Sequence, residues 1–158
     1  MAITCLAASS MKEGPRFVWN ASSSVSPGLY RIHSDLPRRG QLALVQLPPA
    51  IAALALERGY LKGAALLLKP LAATNGDRVC RAGRSLFIRG RKMADIRALD
   101  AMGRPLPSWH GCRVIGVHEV FLLSAHPSSF DSRYFGPIAA ANIIGAAQPI
   151  WASTPSTR

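Results

Sequence analysis

Short apolar segments separated by turn residues divide the first half of the chain into strands and one helix. Residues 28–36 and 40–49 have the length and composition of strands, with a Pro-Arg-Arg-Gly turn between them. Residues 49–61, PAIAALALERGYL, have a helical composition with a glycine near the end. Residues 64–73, AALLLKPLAA, are apolar on both faces of a strand, which predicts a buried strand. Pro70 argues against a helix interior.

The second half of the chain continues with strand patterns. Asn-Gly-Asp at 75–77 predicts a turn, and residues 78–93 predict a hairpin around an Ala-Gly pair. Residues 112–126 predict one bent strand or two, and residues 133–151 predict a strand flanking a turn of small residues. Because strands dominate, the predicted class is mainly β with one or two short helices.

The length of 158 residues is that of one domain with a core of its own. Residues 1–16 lack periodicity and are predicted to be poorly ordered, residues 17–151 form the compact unit, and residues 152–158 form a polar tail. The N-terminal apolar run is much shorter than the roughly 20 residues of a membrane span. It also lacks the basic start of a signal peptide, so no anchor or export signal is predicted.

The formal charge of +11 arises from 19 basic and 8 acidic residues, and only four of the basic residues are lysine. Such a balance could attract nucleic acid or an anionic membrane surface. The arginines are scattered along the sequence, however, which favours a generally basic surface. Four dispersed histidines without ligand spacing predict no metal site and no cofactor. Of three cysteines, Cys80 and Cys112 could form a disulfide, which the sequence does not require.

The stretch NASSSVSPGLY at residues 20–30 raises the question of a serine nucleophile. The nucleophile elbow Gly-x-Ser-x-Gly is absent, and a Ser-His-Asp triad has little support in the sequence. A neutral lysine can activate a serine instead, and neutrality near pH 7 requires a pKa lowered by about 3 units through burial. Lys69 lies in an apolar segment and is the candidate base, with Lys62 second. The alternative is that the Lys69 amine extends into water while its stem covers apolar surface.

Three motifs follow one another along the chain. The first is Asn, three residues, Ser, Val and then Pro-Gly-Leu-Tyr at residues 20–30. The second is Lys69 with a Gly-Asp pair seven and eight residues later, and the third is SFDSRYFG at residues 129–136. In this order they resemble the serine-lysine signal peptidase superfamily, in particular its TraF-type conjugative-transfer peptidases. Two departures are the proline of the first motif, one place later than is typical of TraF proteins, and Gln41, which stands where general signal peptidases have Asp.

This resemblance implies a signal-peptidase-like antiparallel β-sheet or barrel core and a set of roles. Ser24 would be the nucleophile and Lys69 the general base, acting through an acyl-enzyme. The oxyanion would be stabilised by the Ser24 N–H and the Ser22 hydroxyl, while Ser23 and Ser26 would be bystanders.

The same resemblance implies three supporting residues in the third motif. Ser129 would hydrogen-bond the Lys69 amine, and Asp131 and Arg133 would form a buried pair. A carboxylate close to Lys69 would raise the lysine pKa and oppose its role as a base. The interpretation adopted is therefore that Asp131 organises the segment.

The implied substrate is a conjugative pilin precursor, cleaved near its C-terminus and in some members cyclised. The implied location is the periplasmic side of the inner membrane. No nucleic-acid partner is expected, and contact with a membrane surface is left open. The alternative function is a non-catalytic basic module that binds pilin or nucleic acid in a conjugation system.

Overall fold

The computed structural model describes residues 14–153, and within this range the chain is mainly β with two short α-helices, as predicted. The predictions for residues 1–16 and 152–158 fall mostly outside the described residues and stay predictions. The elements in chain order are β1 (Phe17–Asn20), β2 (Gly28–His33), β3 (Leu42–Gln46), α1 (Pro49–Glu57), β4 (Leu66–Ala73), β5 (Arg78–Ala82), β6 (Ser85–Ile88), β7 (Arg91–Asp95), β8 (Gly111–Val114), β9 (Glu119–Leu122), α2 (Ser132–Phe135), β10 (Ile138–Ala139), a 3-10 helix (Ala140–Asn142) and β11 (Ile143–Ala152).

Seven strands form one antiparallel sheet in the order β1-β2-β11-β3-β4-β9-β10. β4 lies between β3 and β9, and five of its eight residues are buried, which confirms the predicted buried strand. Pro70 lacks an N–H, but its carbonyl accepts a hydrogen bond from Leu123 N–H at 3.1 Å. The strand pattern of residues 64–73 therefore persists despite the proline.

A second antiparallel sheet of four strands has the order β7-β6-β5-β8. The predicted hairpin is present as β5 and β6, joined by a turn at Gly83, which has a φ of 57° that favours glycine. Cys80 of β5 and Cys112 of β8 are directly opposite partners and form a disulfide, with their Cα atoms 4.0 Å apart. The disulfide that the sequence left open therefore links the neighbouring strands β5 and β8 of this sheet.

Strand β9 separates two hydrophobic cores. Val120 and Leu122 pack into a cluster with β3, β4 and the buried alanines of α1. Phe121 and Leu123 pack into a second cluster with residues of β5 and β6. Alternate side chains of a strand point to opposite faces, so this segment joins the seven-stranded sheet to the four-stranded one.

Three features differ from the sequence prediction or were not specified by it. Residues 112–126 form two strands, β8 and β9, and the strands β1 and β7 were not predicted. Tyr134 and Phe135, predicted to open a strand, belong to α2. The Asp131 side chain caps this helix by accepting the Arg133 N–H at 3.2 Å, and Gly136 ends it with a φ of 76°. Local capping therefore overrides the strand composition here.

Candidate active site

The serine-rich loop between β1 and β2 is held by one asparagine side chain. Asn20, the last residue of β1, is buried and pairs with Gly28, the first residue of β2. Its Nδ2 group donates to the carbonyl oxygens of Val25 at 2.9 Å, Ser22 at 3.1 Å and Ser26 at 3.2 Å. These bonds satisfy carbonyls that no strand ladder reaches, so Asn20 gives the loop a defined shape.

The Pro-Gly-Leu-Tyr end of the first motif fits the close approach of β11. Gly28 pairs with Ala152, and a Cβ atom at this position would clash with the carbonyl oxygen of Trp151. Two residues further on, the buried Tyr30 hydroxyl donates to the Ser26 carbonyl at 2.6 Å. Gly28 and Tyr30 thus hold the loop in place, and neither is assigned a chemical role.

Lys69 reaches this loop from the centre of the seven-stranded sheet. It pairs with Ala43 of β3, its side chain is 3% exposed, and its amine is in hydrogen-bond contact with the Ser24 hydroxyl. The two residues are 45 positions apart in sequence. The alternative in which the Lys69 amine extends into water is therefore wrong. The second candidate base, Lys62, is exposed.

Burial lowers the pKa of Lys69 to about 8 from its ordinary value of 10.5. Loss of hydration is the largest cause, because a charged amine is disfavoured in apolar surroundings. The negative charge of Asp131 opposes this shift and the positive charge of Arg133 adds to it. At pH 7 about a tenth of the lysine is then neutral, against well under a thousandth for an ordinary lysine.

Ser22, the predicted oxyanion donor, lies beside Ser24. The two hydroxyl oxygens are 3.2 Å apart, and the Ser22 hydroxyl donates to Asn20 Oδ1 at 2.8 Å. The Ser22 N–H donates to the same oxygen at 3.1 Å. Within residues 14–153 the backbone hydrogen bonds do not include the Ser24 N–H. The Ser22 hydroxyl therefore lies beside the Ser24 hydroxyl and is held there by Asn20.

Asp131 and Arg133 form a fully buried ion pair, 0% and 1% exposed. Arg133 donates through Nε to Asp131 Oδ1 at 2.8 Å and through Nη2 to Oδ2 at 3.0 Å. No ion pair joins Asp131 to Lys69 in the part of the chain that the structure describes. The carboxylate acts on the lysine through its charge alone, which agrees with an organising role.

Ser129 is buried but does not hydrogen-bond Lys69 in this structure. Its N–H donates to the His126 carbonyl at 3.1 Å, while its hydroxyl has no hydrogen-bond partner among the described residues. The predicted contact between its hydroxyl and the lysine amine is therefore not formed. The role assigned to Ser129 stays a prediction.

Ser124 lies at the site, although none of the three sequence motifs includes it. It is 2% exposed and follows β9, and its hydroxyl donates to the Ser24 carbonyl. Its own N–H donates to Asp131 Oδ2 at 3.1 Å, and its carbonyl accepts from Arg133 Nη2 at 2.5 Å. The residue ends the apolar segment EVFLLS at residues 119–124, and no local sequence pattern marks it as a site residue.

The aspartate of the second motif holds a turn and does not contact Lys69. Asp77 is buried, accepts the Thr74 N–H at 2.9 Å, and pairs with Arg39 at 2.5 Å. Gln41 accepts the Arg38 N–H at 2.7 Å through its side chain. The departure from Asp at position 41 therefore leaves the serine and lysine contact untouched.

Residues 14–153 contain neither a cluster of metal-binding side chains nor a membrane-spanning helix. Within residues 14–153 no three or more His, Cys, Asp or Glu side chains are grouped so as to hold a metal ion. Across the same residues, no helix has the length and apolar character needed to cross a membrane.

The sequence matches one family model over nearly the whole chain. The family model described as signal peptidase, peptidase S26, matches residues 1–152. The chain therefore belongs to the signal peptidase family S26, and the resemblance of the sequence to TraF-type members is confirmed. Membership supports a peptidase-like function, suggests a serine peptidase, and suggests a location in the cell envelope.

Individual relatives carry conjugal transfer names. A probable conjugal transfer protein TraF of Sinorhizobium fredii is 36% identical over 148 residues, covering 86% of this chain and 77% of the relative. A conjugal transfer protein TraF of Agrobacterium tumefaciens is 34% identical over 166 residues, covering 97% of this chain and 91% of the relative. Among solved structures, a signal peptidase I of Enterococcus faecalis is 17% identical with a TM-score of 0.42, covering 70% of this chain and 95% of that one.

Proposed function

We propose that this protein is a serine endopeptidase of the signal peptidase type, with Ser24 as the nucleophile and Lys69 as the general base. One observation carries the proposal: the Ser24 hydroxyl contacts a buried lysine amine whose pKa is lowered to about 8. A serine hydroxyl is a weak nucleophile unless a base removes its proton, and a neutral lysine has the lone pair to do so. Membership in the family supports the same assignment.

In the acylation step the Ser24 Oγ–H proton passes to neutral Lys69 Nζ while Oγ attacks the carbonyl carbon of the scissile peptide bond. The carbonyl oxygen becomes an oxyanion, for which the Ser24 N–H and the Ser22 hydroxyl are the proposed donors. The intermediate then collapses, the C–N bond breaks, and the Lys69 ammonium delivers its proton to the leaving amine. An ester on Ser24 and a neutral lysine remain.

The Ser22 hydroxyl must change partner for this step. In the free protein it donates to Asn20 Oδ1 at 2.8 Å, and it lies 3.2 Å from Ser24 Oγ. A rotation about its Cβ–Oγ bond would redirect its hydrogen bond from the amide oxygen to the oxyanion. Such a donor binds the transition state more strongly than the substrate, which is the requirement for faster catalysis.

The acyl-enzyme can react in two ways. Water activated by neutral Lys69 would release a linear product, whereas the N-terminal amine of the substrate itself would release a cyclic one. Both reactions free the Ser24 hydroxyl, and the two products differ by one water molecule. The described residues contain nothing that selects between them, so mass spectrometry of the product decides.

For substrate and place we propose a conjugative pilin precursor, processed on the periplasmic side of the inner membrane. The conjugal transfer names of the relatives and the signal peptidase family support both parts of this proposal. Contact with a membrane surface is compatible with the formal charge of +11.

The test compares two serines of one loop. Purified protein is incubated with the pilin precursor of its own transfer system, and intact-mass spectrometry follows both proteins. The wild type is expected to cleave the precursor and to carry a transient ester, while Ser24→Ala does neither. Ser23→Ala is the matched control, because Ser23 is exposed in the same loop, and it is expected to cleave normally.

The alternative, a non-catalytic basic binding module, gives the opposite result. It predicts an intact precursor in the presence of wild-type protein, with binding that weakens steeply as salt is added if the partner is nucleic acid. Equal cleavage by Ser24→Ala and wild type would exclude the proposed nucleophile.

A further inference from the structure

Ser124 uses every hydrogen-bonding group it has. Its hydroxyl oxygen accepts the His126 N–H at 3.0 Å, which orients the oxygen, and its single hydroxyl proton goes to the Ser24 carbonyl. Its backbone N–H and carbonyl are bound to Asp131 and Arg133, respectively. One residue therefore bonds both to the nucleophile residue and to the buried ion pair.

The rest of the serine-rich loop is held from its own side of the molecule. Asn20 and Tyr30 bind the carbonyls of Val25 and Ser26. The contact from Ser124 comes from a residue 100 positions away and is made to Ser24 itself. Because a peptide unit is planar, fixing the Ser24 carbonyl restricts the backbone rotation of Ser24 and hence the direction of its Cα–Cβ bond.

We infer that Ser124 is a positioning residue for the reaction, which transmits the fixed geometry of the Asp131–Arg133 pair to the Ser24 nucleophile. The inference rests on the proposed function, since it assigns a role in acylation by Ser24. It also gives the buried pair a route to the chemistry without contact between Asp131 and Lys69. Ser124 itself touches neither the substrate carbonyl nor the lysine amine in this role.

A positioning role and a packing role of Ser124 predict different effects when its hydroxyl is removed. A misplacement of a reacting group by about 1 Å can cost on the order of 100-fold in rate, whereas substrate affinity depends on other contacts. Loss of the Ser124 hydroxyl should therefore slow acylation without weakening substrate binding. It should also leave the titration of Lys69 unchanged, because burial of the lysine is the main cause of its lowered pKa.

The experiment measures single-turnover acylation by rapid quench and intact-mass detection of the ester, using the pilin precursor and variants at position 124. Ser124→Ala is expected to acylate about 10- to 100-fold more slowly. Its KM is expected to stay within about twofold of wild type, with the same midpoint in its pH–rate profile. Ser124→Thr keeps the hydroxyl and is expected to recover most of the lost rate.

Ser132→Ala is the matched control. Ser132 is fully buried nearby, and its hydroxyl accepts the Leu122 N–H at 3.0 Å, while no hydrogen bond joins it to Ser24 among the described residues. The control is expected to lower the melting temperature at least as much as Ser124→Ala while keeping the wild-type acylation rate per folded molecule.

Several results would overturn the inference. These are a Ser124→Ala variant that acylates at the wild-type rate, a Ser132→Ala variant that is equally slow, or a shifted pH midpoint in Ser124→Ala. The inference would also be overturned if Ser124→Thr acylates as slowly as Ser124→Ala while its melting temperature is unchanged. If Ser124→Ala does not fold, the threonine variant and the control decide alone. Absence of an ester in the wild type would instead reject the proposed function.

Discussion

Two buried cations lie within one site and have opposite surroundings. Arg133 is 1% exposed and makes a two-bond contact with Asp131, and its Nη2 also donates to the carbonyls of Ser124 and His126. Lys69 is 3% exposed, and the contact of its amine is with the Ser24 hydroxyl. The arginine is thus matched by a carboxylate and carbonyls, while the lysine meets a neutral hydroxyl.

Under the proposed function, burial serves structure at Arg133 and chemistry at Lys69. An arginine remains protonated in proteins, so its burial requires a partner, and the pair then fixes neighbouring backbone. Burial of a lysine without such a partner lowers its pKa, which increases the neutral fraction that can act as a base. The two cations should therefore respond in opposite ways to the same substitution.

The largest expected effect is on catalysis, from Lys69→Arg. The guanidinium keeps its charge near neutral pH and has no lone pair to accept the Ser24 proton. Precursor cleavage is expected to fall by roughly 1,000-fold or more, in the range of lost general base catalysis. The measurement is the single-turnover rate, with Lys62→Arg as the exposed control. Cleavage within tenfold of wild type would contradict the assignment of Lys69 as the base.

The next largest effect is the loss of stability in Arg133→Met. Removing the arginine leaves the Asp131 carboxylate buried without its partner, which typically costs about 3–5 kcal/mol. Chemical unfolding of the purified protein measures this change in the free energy of unfolding. The control is Arg97→Met, because Arg97 is exposed, and a change within about 0.5 kcal/mol is expected there. A small effect at Arg133 would show that the pair is not a structural anchor.

The same replacement by methionine should stabilise the protein at Lys69. At pH 7 the wild-type lysine is mostly protonated in both states, and a folded pKa of about 8 against an ordinary 10.5 corresponds to a penalty of about 3 kcal/mol. Lys69→Met removes this penalty, so its free energy of unfolding should exceed that of the wild type by about that amount.

The stability difference between the wild type and Lys69→Met should depend on pH. Between about pH 8 and 10.5 the unfolded state binds more protons than the folded state, so wild-type stability rises with pH relative to Lys69→Met. The advantage of the variant should therefore disappear near pH 10.5. Lys62→Met, an exposed control, should show neither effect. A destabilised Lys69→Met at pH 7 would mean that the wild-type amine is better solvated than its burial indicates.

The sequence was sufficient to predict the mainly β class and the strand that carries Lys69, because both depend on local composition. The contact between Lys69 and Ser24 was inferred from the resemblance, and the apolar neighbours of the lysine supported it independently. The roles of Asn20 and Ser124 could not be predicted in this way. Their bonds depend on the path of the loop and on a pairing across 100 residues, which no local pattern encodes.

The strand predicted at Tyr134 and Phe135 is a case in which local composition gave the wrong element. Aromatic residues favour strands, yet the Asp131 side chain caps a short helix there, and the same carboxylate binds Arg133. The helix cap thus depends on a carboxylate that the buried ion pair also holds, and aromatic composition does not reveal such a cap.

The smallest effect expected is a pH-dependent rate that reports the Lys69 base directly. Below about pH 8 the fraction of neutral lysine changes tenfold per pH unit, so kcat/KM for the precursor should rise about tenfold between pH 6 and 7 and level off above pH 8. Arg133→Lys should move the midpoint little if a cation remains beside Asp131. A midpoint near 10.5 would mean a solvated lysine and would remove the contrast with Arg133. A midpoint near 8 would agree with neutral Lys69 as the base and would support the contrast with Arg133, which stays protonated.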